Sequence, residues 1–171
     1  MRFRKLVLAA LLITALAGCG YRLAARKGDV GAGRTIAVPT FANNTISYRI
    51  EQGISEALRK ELARTTHFKV TSVDSGDLVV RGEVTGYGIS PTVFDDGGRA
   101  AQYAVSVSLK VVITETGTGK ILLQTDSMTF SDTFQLSKNS SEFVPEDPAA
   151  INRIAERFAS AIVSALVHRP S

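Results

Sequence analysis

Alternating apolar and polar residues in the middle of the chain predict a set of long β-strands. From Ala101 to Thr114 nearly every second residue is apolar, a period of two that is typical of a strand with one buried face. Leu78 to Ser90 is similar, and Ile121 to Phe134 follows a Gly-Thr-Gly-Lys turn as the antiparallel partner of the preceding strand. Two shorter apolar segments, Thr35 to Val38 and Phe68 to Val73, predict further strands.

Two other segments have the period of an amphipathic helix instead. The first runs from Tyr48 to Arg64, with Ser47 as its predicted N-cap. The second begins at Asp147, a predicted cap, with Pro148 at the first helical position, where the fixed φ of proline suits a helix. The predicted buried stripes are Ile50, Ile54, Ala57, Leu58 and Leu62, and then Ile151, Ile154, Ala155, Phe158, Ile162, Ala165 and Leu166.

The resulting order, β-α-β-β-β-β-α, predicts an α+β fold. We expect two helices packed on one face of a mostly antiparallel sheet of about four strands. Gly82, Gly86 and Gly88 lie within one predicted strand and indicate bulges or a close approach of another group to the backbone. Two hairpin strands of about fourteen residues would be about 45 Å long, so one end of the hairpin should project past the helices.

The chain begins like an exported protein. Arg2, Arg4 and Lys5 precede an uncharged segment, Leu6 to Ala17, which has the length of a signal-peptide core and is too short to cross a bilayer comfortably. The following Leu-Ala-Gly-Cys sequence resembles a bacterial lipobox. This resemblance implies cleavage before Cys19 and acylation of its thiol, so that lipid would hold the mature protein on a membrane. A secreted protein whose cysteine lies near the cut by chance is the alternative.

Three regions follow from this pattern: a lipoprotein signal peptide at 1–18, a lipidated tether at 19–34 and a single domain at 35–171. Removing the three basic residues of the signal from the 20 in the chain leaves 17 against 16 acidic residues. Because the mature chain has almost no net charge, we do not expect it to bind nucleic acids non-specifically. Cys19 is the one cysteine of the chain, so no intrachain disulfide can form.

The sequence presents no recognisable catalytic set. The Gly28 to Thr35 segment resembles a phosphate-binding loop only in spacing, because arginine replaces its lysine and a predicted strand follows where a helix is needed. His67 and His168 stand far apart in sequence, and Asp95 with Asp96 precedes a glycine pair that is typical of a turn. We therefore expect a protein that is not an enzyme and holds no metal or cofactor.

Two basic residues beside apolar ones are candidate ligand contacts. Arg99 follows Val93 and Phe94, and Lys138 follows Phe134 and Leu136 in sequence. A cation beside apolar surface suits an amphiphile with an anionic head and acyl tails. Solvated loop charges are the simpler alternative.

Taken together, the motifs of the mature chain resemble the LptE family of lipopolysaccharide-assembly lipoproteins. No single motif is specific, but they occur in order through nearly the whole mature chain. They are Gly18-Cys19-Gly20-Tyr21-Arg22-Leu23, Ile36-Ala37-Val38-Pro39-Thr40-Phe41 with Asn43 and Thr45, the helix with Ala57-Leu58-Arg59, Gly82-x-Val84-x-x-Tyr87, the loop from Pro91 to Arg99, Tyr103, and Thr116-Gly117-x-Gly119-Lys120 before Ile121-Leu122.

The resemblance implies a role inside the outer-membrane β-barrel LptD, as a plug that aids barrel assembly and binds lipopolysaccharide on its way to the outer leaflet. It implies an anchor in the outer membrane, with the domain facing the periplasm and within the barrel lumen; Gly20, rather than aspartate, agrees with that sorting. Lys138 matches one of the family's lipopolysaccharide-contacting positions, and Arg99 is the nearest substitute for the other, where this chain has Asp95 and Asp96. A lipoprotein subunit of another envelope export machine and an envelope hydrolase are the competing hypotheses.

Overall fold

The computed structural model describes residues 30–135 and 147–168. These residues form six strands and two helices, numbered here in chain order. They are β1 (Thr35–Ala37), β2 (Ala42–Asn43), α1 (Ile50–Thr65), β3 (Lys69–Thr71), β4 (Leu78–Phe94), β5 (Ala100–Glu115), β6 (Ile121–Gln135) and α2 (Pro148–Val167). No described helix is long and apolar enough to span a membrane. Cys19, Lys138 and all of the predicted loop from Asn139 to Asp147 except Asp147 itself lie outside the described residues.

The sheet is mixed, with the order β3-β1-β4-β5-β6 and β2 paired separately with β4. β4, β5 and β6 are antiparallel to one another, whereas β1 pairs in parallel with β3 and β4, and β2 in parallel with β4. The α+β class is thus confirmed, but the prediction of about four mostly antiparallel strands was imprecise. Of the three short strands, β1 and β3 lie within predicted segments, whereas β2 was missed because its two residues are too few to show a period of two. A parallel pair needs a crossover connection, which α1 provides between β1 and β3.

The three long strands form the frame of the domain. On β5 the predicted alternation is confirmed from residue 105 to residue 113, because the odd-numbered residues are buried and the even-numbered ones are not. A register shift between Val84 and Gly86 is the bulge that the glycines of β4 predicted. Residues 90–99, at the far end of β4 and its turn, are all exposed. This end of the β4–β5 hairpin therefore extends beyond the helical cover, whereas the projection predicted from strand length concerned the β5–β6 hairpin.

The two helices pack against each other and complete one hydrophobic core with the sheet. The predicted α1 stripe is buried at Ile50, Ile54, Leu58 and Leu62. The α2 stripe is buried at four of its predicted positions, and Ala165 near its end is exposed. Asp147 caps α2 as predicted, since its side chain accepts a hydrogen bond of 2.9 Å from the backbone N–H of Ala149.

The predicted cap of α1 was wrong. The N-cap is Arg49, with φ of +60° and no capping side-chain hydrogen bond, a left-handed conformation that costs a residue with a Cβ about 1–2 kcal/mol. Ser47 is instead buried within the preceding loop, where its carbonyl oxygen accepts a hydrogen bond from the side-chain amide of Asn43 at 2.8 Å. This hydrogen bond holds Ser47 in the loop, and the helix begins three residues later, at Ile50.

Gly82 on β4 lies directly beneath the ring of Phe41. A Cβ at this position would lie 2.2 Å from Cε2 of that ring, so only glycine leaves room for it. Phe41 in turn contacts Phe158 of α2 edge to face, with ring centroids 6.0 Å apart. This stack joins the sheet to the second helix, and it is the close approach that the strand glycines predicted.

Residues 30–34, predicted as the end of the tether, make defined contacts with the domain. The carbonyl oxygen of Val30 accepts a hydrogen bond from the backbone N–H of His67 at 2.9 Å. The guanidinium of Arg34 lies 2.6 Å from the Glu115 carboxylate, and a hydrogen bond from Thr118 together with Arg34 lowers the pKa of that carboxyl. The described part of the tether is therefore attached at the end of the sheet opposite the projecting hairpin.

Candidate functional site

The projecting turn between β4 and β5 contains the first predicted contact, Arg99. The turn is closed by backbone hydrogen bonds from the Asp95 N–H to the Arg99 carbonyl at 2.8 Å and from the Gly98 N–H to the Asp95 carbonyl at 2.9 Å. Gly98 has a φ of +75°, a conformation that glycine adopts without a steric penalty. The Asp-Asp-Gly-Gly sequence thus forms the turn that it predicted.

Apolar and basic residues occur together at this hairpin end. Val93 is 46% and Phe94 59% exposed, and the Arg99 side chain is 86% exposed. All three belong to a single short hairpin end, because Phe94 pairs with Ala100 across the ladder. The structure therefore presents the cation beside an exposed apolar surface that the sequence indicated.

Arg99 is, however, already paired with a carboxylate. Its Nε donates a hydrogen bond to Asp95 Oδ2 at 3.1 Å, and Asp95 Oδ1 accepts from the backbone N–H groups of Gly97 and Arg99, each at 2.9 Å. These bonds, led by the one from the Arg99 backbone, lower the pKa of Asp95. An anion that binds Arg99 must compete with Asp95, but a solvent-exposed ion pair of this kind is weak and exchanges readily.

Lys138, the second predicted contact, lies outside the described residues, so its role stays a prediction. Gln135, the last residue of β6, pairs with Gln102 of β5, and Gln102 also pairs with Val93 of β4. The end of β6 therefore lies next to β5, one of the two strands that the projecting turn connects.

Two further cations at this end were missed from the sequence. Arg153 and Arg157 of α2 approach Asp132 of β6 at 2.5 and 3.7 Å, and they donate to the carbonyl oxygens of Thr133 and Ser131. Partial burial acts to raise the pKa of Asp132, but the hydrogen bond from Arg153 and the nearby charges lower it overall. The arginines cover outward-facing backbone of β6, which protects an exposed sheet edge. The four-residue spacing of these two arginines on the polar face of α2 is the sequence feature that could have indicated a shared role.

The two histidines, far apart in sequence, line one cleft at the end of the helices, together with Glu61. Within residues 30–135 and 147–168 no group of three or more histidine, cysteine, aspartate or glutamate side chains is arranged to hold a metal ion. Of the predicted ligand contacts, the described residues contain only Arg99 on the projecting hairpin.

Comparison with protein families matches residues 33–166 to LptE, described as lipopolysaccharide-assembly. No curated protein matches the chain. Among solved structures, uncharacterized lipoprotein B from Nitrosomonas europaea is 8% identical, with a TM-score of 0.50 over 80% of this chain and 83% of that one. The hypothetical protein CT253 from Chlamydia trachomatis is 10% identical, with a TM-score of 0.50 over 78% and 95%. Rare lipoprotein B from Shewanella oneidensis is 11% identical, with a TM-score of 0.45 over 77% and 93%.

At these identities the two structures with a TM-score of 0.50 show a shared fold and nothing of function. The family match is stronger, because it extends from the residues just before β1 to the last turn of α2. It includes both helices, all six strands and the projecting hairpin. The protein therefore belongs to the LptE family of lipopolysaccharide-assembly proteins.

Proposed function

We propose that this protein is an outer-membrane lipoprotein that occupies an LptD-type β-barrel, helps the barrel to assemble and binds lipopolysaccharide during delivery to the outer leaflet. The observation that carries the proposal is the family match over residues 33–166. In this proposal the protein acts by binding and positioning rather than by catalysis. The lipid anchor at Cys19 would hold it at the membrane in which the barrel resides.

The shape of the domain supports this role. The sheet and both helices share one core, while the end of the β4–β5 hairpin extends free of that core, with residues 90–99 exposed. A rigid body with a projecting hairpin can fill a barrel lumen and still reach a ligand beside it. The apolar side chains of Val93 and Phe94 suit acyl chains, and the guanidinium of Arg99 suits a phosphate.

The barrel partnership is tested by isolating the lipidated full-length chain from outer membranes through an affinity tag. We expect an LptD-type barrel to co-purify in a near-stoichiometric amount. Matched purification of a Cys19→Ala variant reports on the anchor, because loss of acylation should reduce the fraction of chain recovered in the membrane. Recovery of the wild-type chain as a monomer without a barrel would contradict the proposal. Recovery with a different secretion barrel would favour the export-machine alternative.

Lipopolysaccharide binding is tested by reversing the two predicted contacts. We expect Arg99→Asp combined with Lys138→Asp to weaken binding roughly tenfold or more, since each lost charge-assisted contact contributes about 1 kcal/mol or more. The matched control is Arg81→Asp combined with Lys60→Asp, because Arg81 is also an exposed arginine paired with an aspartate, Asp74, at 2.7 Å. Equal lipopolysaccharide binding by the two double variants would mean that Arg99 and Lys138 are solvated loop charges that take no part in binding.

A further inference from the structure

The loop between β2 and α1 presents apolar side chains that the fold does not use. Ile46 is 95% exposed and Tyr48 is 81% exposed, the two highest values among the exposed large hydrophobic side chains of the described residues. Ser47, which lies between them, is only 1% exposed. The loop is therefore seated on the domain through Ser47 while its two large side chains point to solvent.

Side-chain hydrogen bonds hold this loop in one conformation. Asn43 Oδ1 accepts from the backbone N–H and the hydroxyl of Thr45, at 2.9 and 2.7 Å. Its amide nitrogen donates to the Ser47 carbonyl at 2.8 Å and to Glu51 Oε2 at 2.9 Å, which ties the loop to the first turn of α1. Because the backbone of the loop is already fixed, binding would not have to pay for ordering it, so the loop is preorganised for association.

Arg49 adds a cation to this surface. Its guanidinium carbon lies 5.6 Å from the centre of the Tyr48 ring, and its Nε donates to Gln52 Oε1 at 3.1 Å. Among the described residues Arg49 takes part in no ion pair, whereas Arg59, Arg64 and other arginines of the fold do. Its charge remains available to a carboxylate from outside.

We propose that Ile46, Tyr48 and Arg49 form an anchor that binds an apolar pocket flanked by a carboxylate on the barrel partner. This inference rests on the proposed function, since it assigns one contact surface to that partnership. Tyrosine and arginine are the residue types that dominate binding energy at protein interfaces when they enter a desolvated pocket. Here they stand beside an exposed isoleucine on a preorganised loop.

The surroundings of the anchor favour a protein over a lipid surface. Glu51 and Glu83 lie at the base of the loop, where they accept hydrogen bonds from Asn43 and Asn44. With two carboxylates against the single cation of Arg49, the loop carries no net positive charge that would draw it to an anionic lipid surface. Two apolar side chains also bury too little area to hold a loop in a bilayer. A protein pocket can instead place one carboxylate directly against Arg49, which has no ion pair among the described residues, while Glu51 and Glu83 keep their hydrogen bonds to Asn43 and Asn44.

The experiment compares three forms of the lipidated full-length chain, co-expressed with the barrel and purified through a tag on the chain. The anchor variant carries Ile46→Ser, Tyr48→Ala and Arg49→Gln. The control carries Val73→Ser, Ile121→Ser and Arg81→Gln, which remove exposed apolar and basic side chains elsewhere. We expect the anchor variant to retain at most about a tenth of the barrel that the wild type retains, and the control to match the wild type.

A photo-crosslinking residue at position 46 provides a second measurement that does not depend on the folding of the triple variant. We expect crosslinks to the barrel from position 46 and none from position 73. Normal barrel recovery by the anchor variant, or no crosslink from position 46 while the wild type co-purifies, would overturn the anchor and leave the proposed function intact. Failure of the wild type to retain any barrel would overturn both.

A membrane role of the loop is the remaining outcome. Purified wild-type chain and anchor variant are therefore also mixed with phosphatidylglycerol vesicles. Loss of vesicle binding in the anchor variant, together with unchanged barrel recovery, would assign the loop to lipid and overturn the proposal.

Discussion

Gly82→Ala should destabilise the domain through the ring of Phe41. The added Cβ would lie between 2.2 and 2.4 Å from three atoms of that ring, far inside van der Waals contact. Phe41 is 4% exposed and is held by Phe158 at a centroid distance of 6.0 Å. The ring cannot move aside without disturbing the packing of α2 on the sheet.

The expected cost follows from overpacking of a well-filled core, which typically amounts to about 1–3 kcal/mol. For a domain of this size each kcal/mol lowers Tm by roughly 2–4 °C. We therefore expect Gly82→Ala to lower Tm by roughly 2–12 °C. The change adds only one methyl group, so the loss reports on this single contact.

Urea unfolding followed by circular dichroism measures the free energy difference, with Gly53→Ala as the matched control. A Cβ at Gly53 of α1 would meet nothing within 4 Å, so this change should stabilise the helix by about 0.5–1 kcal/mol. Combining Gly82→Ala with Phe41→Leu should cost less than the two changes summed, because they share one contact. A stabilising Gly82→Ala, equal to the control, would refute the packing of Phe41 over β4.

Three further predictions concern α2 and its partner strand. Phe158→Ala should cost about 3–5 kcal/mol of unfolding free energy through the cavity it leaves. A loss below about 1 kcal/mol in the same urea measurement would contradict the position of Phe158 at the centre of the hydrophobic core. Asp147→Ala should cost about 1 kcal/mol, because it removes the α2 cap; Asp147→Ser should restore most of it. The Asp132 carboxyl has a lowered pKa in the folded protein, so its stabilisation is present above the ordinary aspartate pKa of about 3.9 and is lost as the pH falls below it. Asp132→Asn should therefore flatten the decline of stability below about pH 4, and an unchanged decline would contradict the ion pair with Arg153.

Sequence patterns predicted the long helices and strands because each is long enough for its hydrophobic period to repeat several times. Val105 to Ile113 alternates over nine residues and is buried as predicted. The α2 stripe spans several turns, and Asp147 with Pro148 marks its start. Here the hydrophobic pattern and the local backbone preference favour the same structure, so the predictions agree with the fold.

The missed features depend on contacts between residues far apart in sequence, or on very short segments. β2 contains two residues and exists because it pairs with β4. Ser47 looked like a cap, but the hydrogen bond from Asn43 holds it in the loop. No periodic pattern records such contacts.

The candidate site was predicted as residue types and not as an electrostatic arrangement. Arg99 and the apolar side chains beside it were identified from their adjacency in sequence, whereas the pairing of Arg99 with Asp95 depends on the closed turn. Arg153 and Arg157 donate to β6 carbonyl oxygens that lie 20 and 26 residues away in sequence. Their role at the edge of the sheet required the tertiary structure.

Depletion of the protein from growing cells, followed by measurement of newly made lipopolysaccharide at the cell surface, tests the central claim most directly. We expect surface lipopolysaccharide to fall as the protein is lost, and the LptD-type barrel to fail to reach its mature form. Restoring the wild-type chain should recover both. Normal surface lipopolysaccharide in depleted cells, with a defect confined to protein secretion, would contradict a role in lipopolysaccharide assembly.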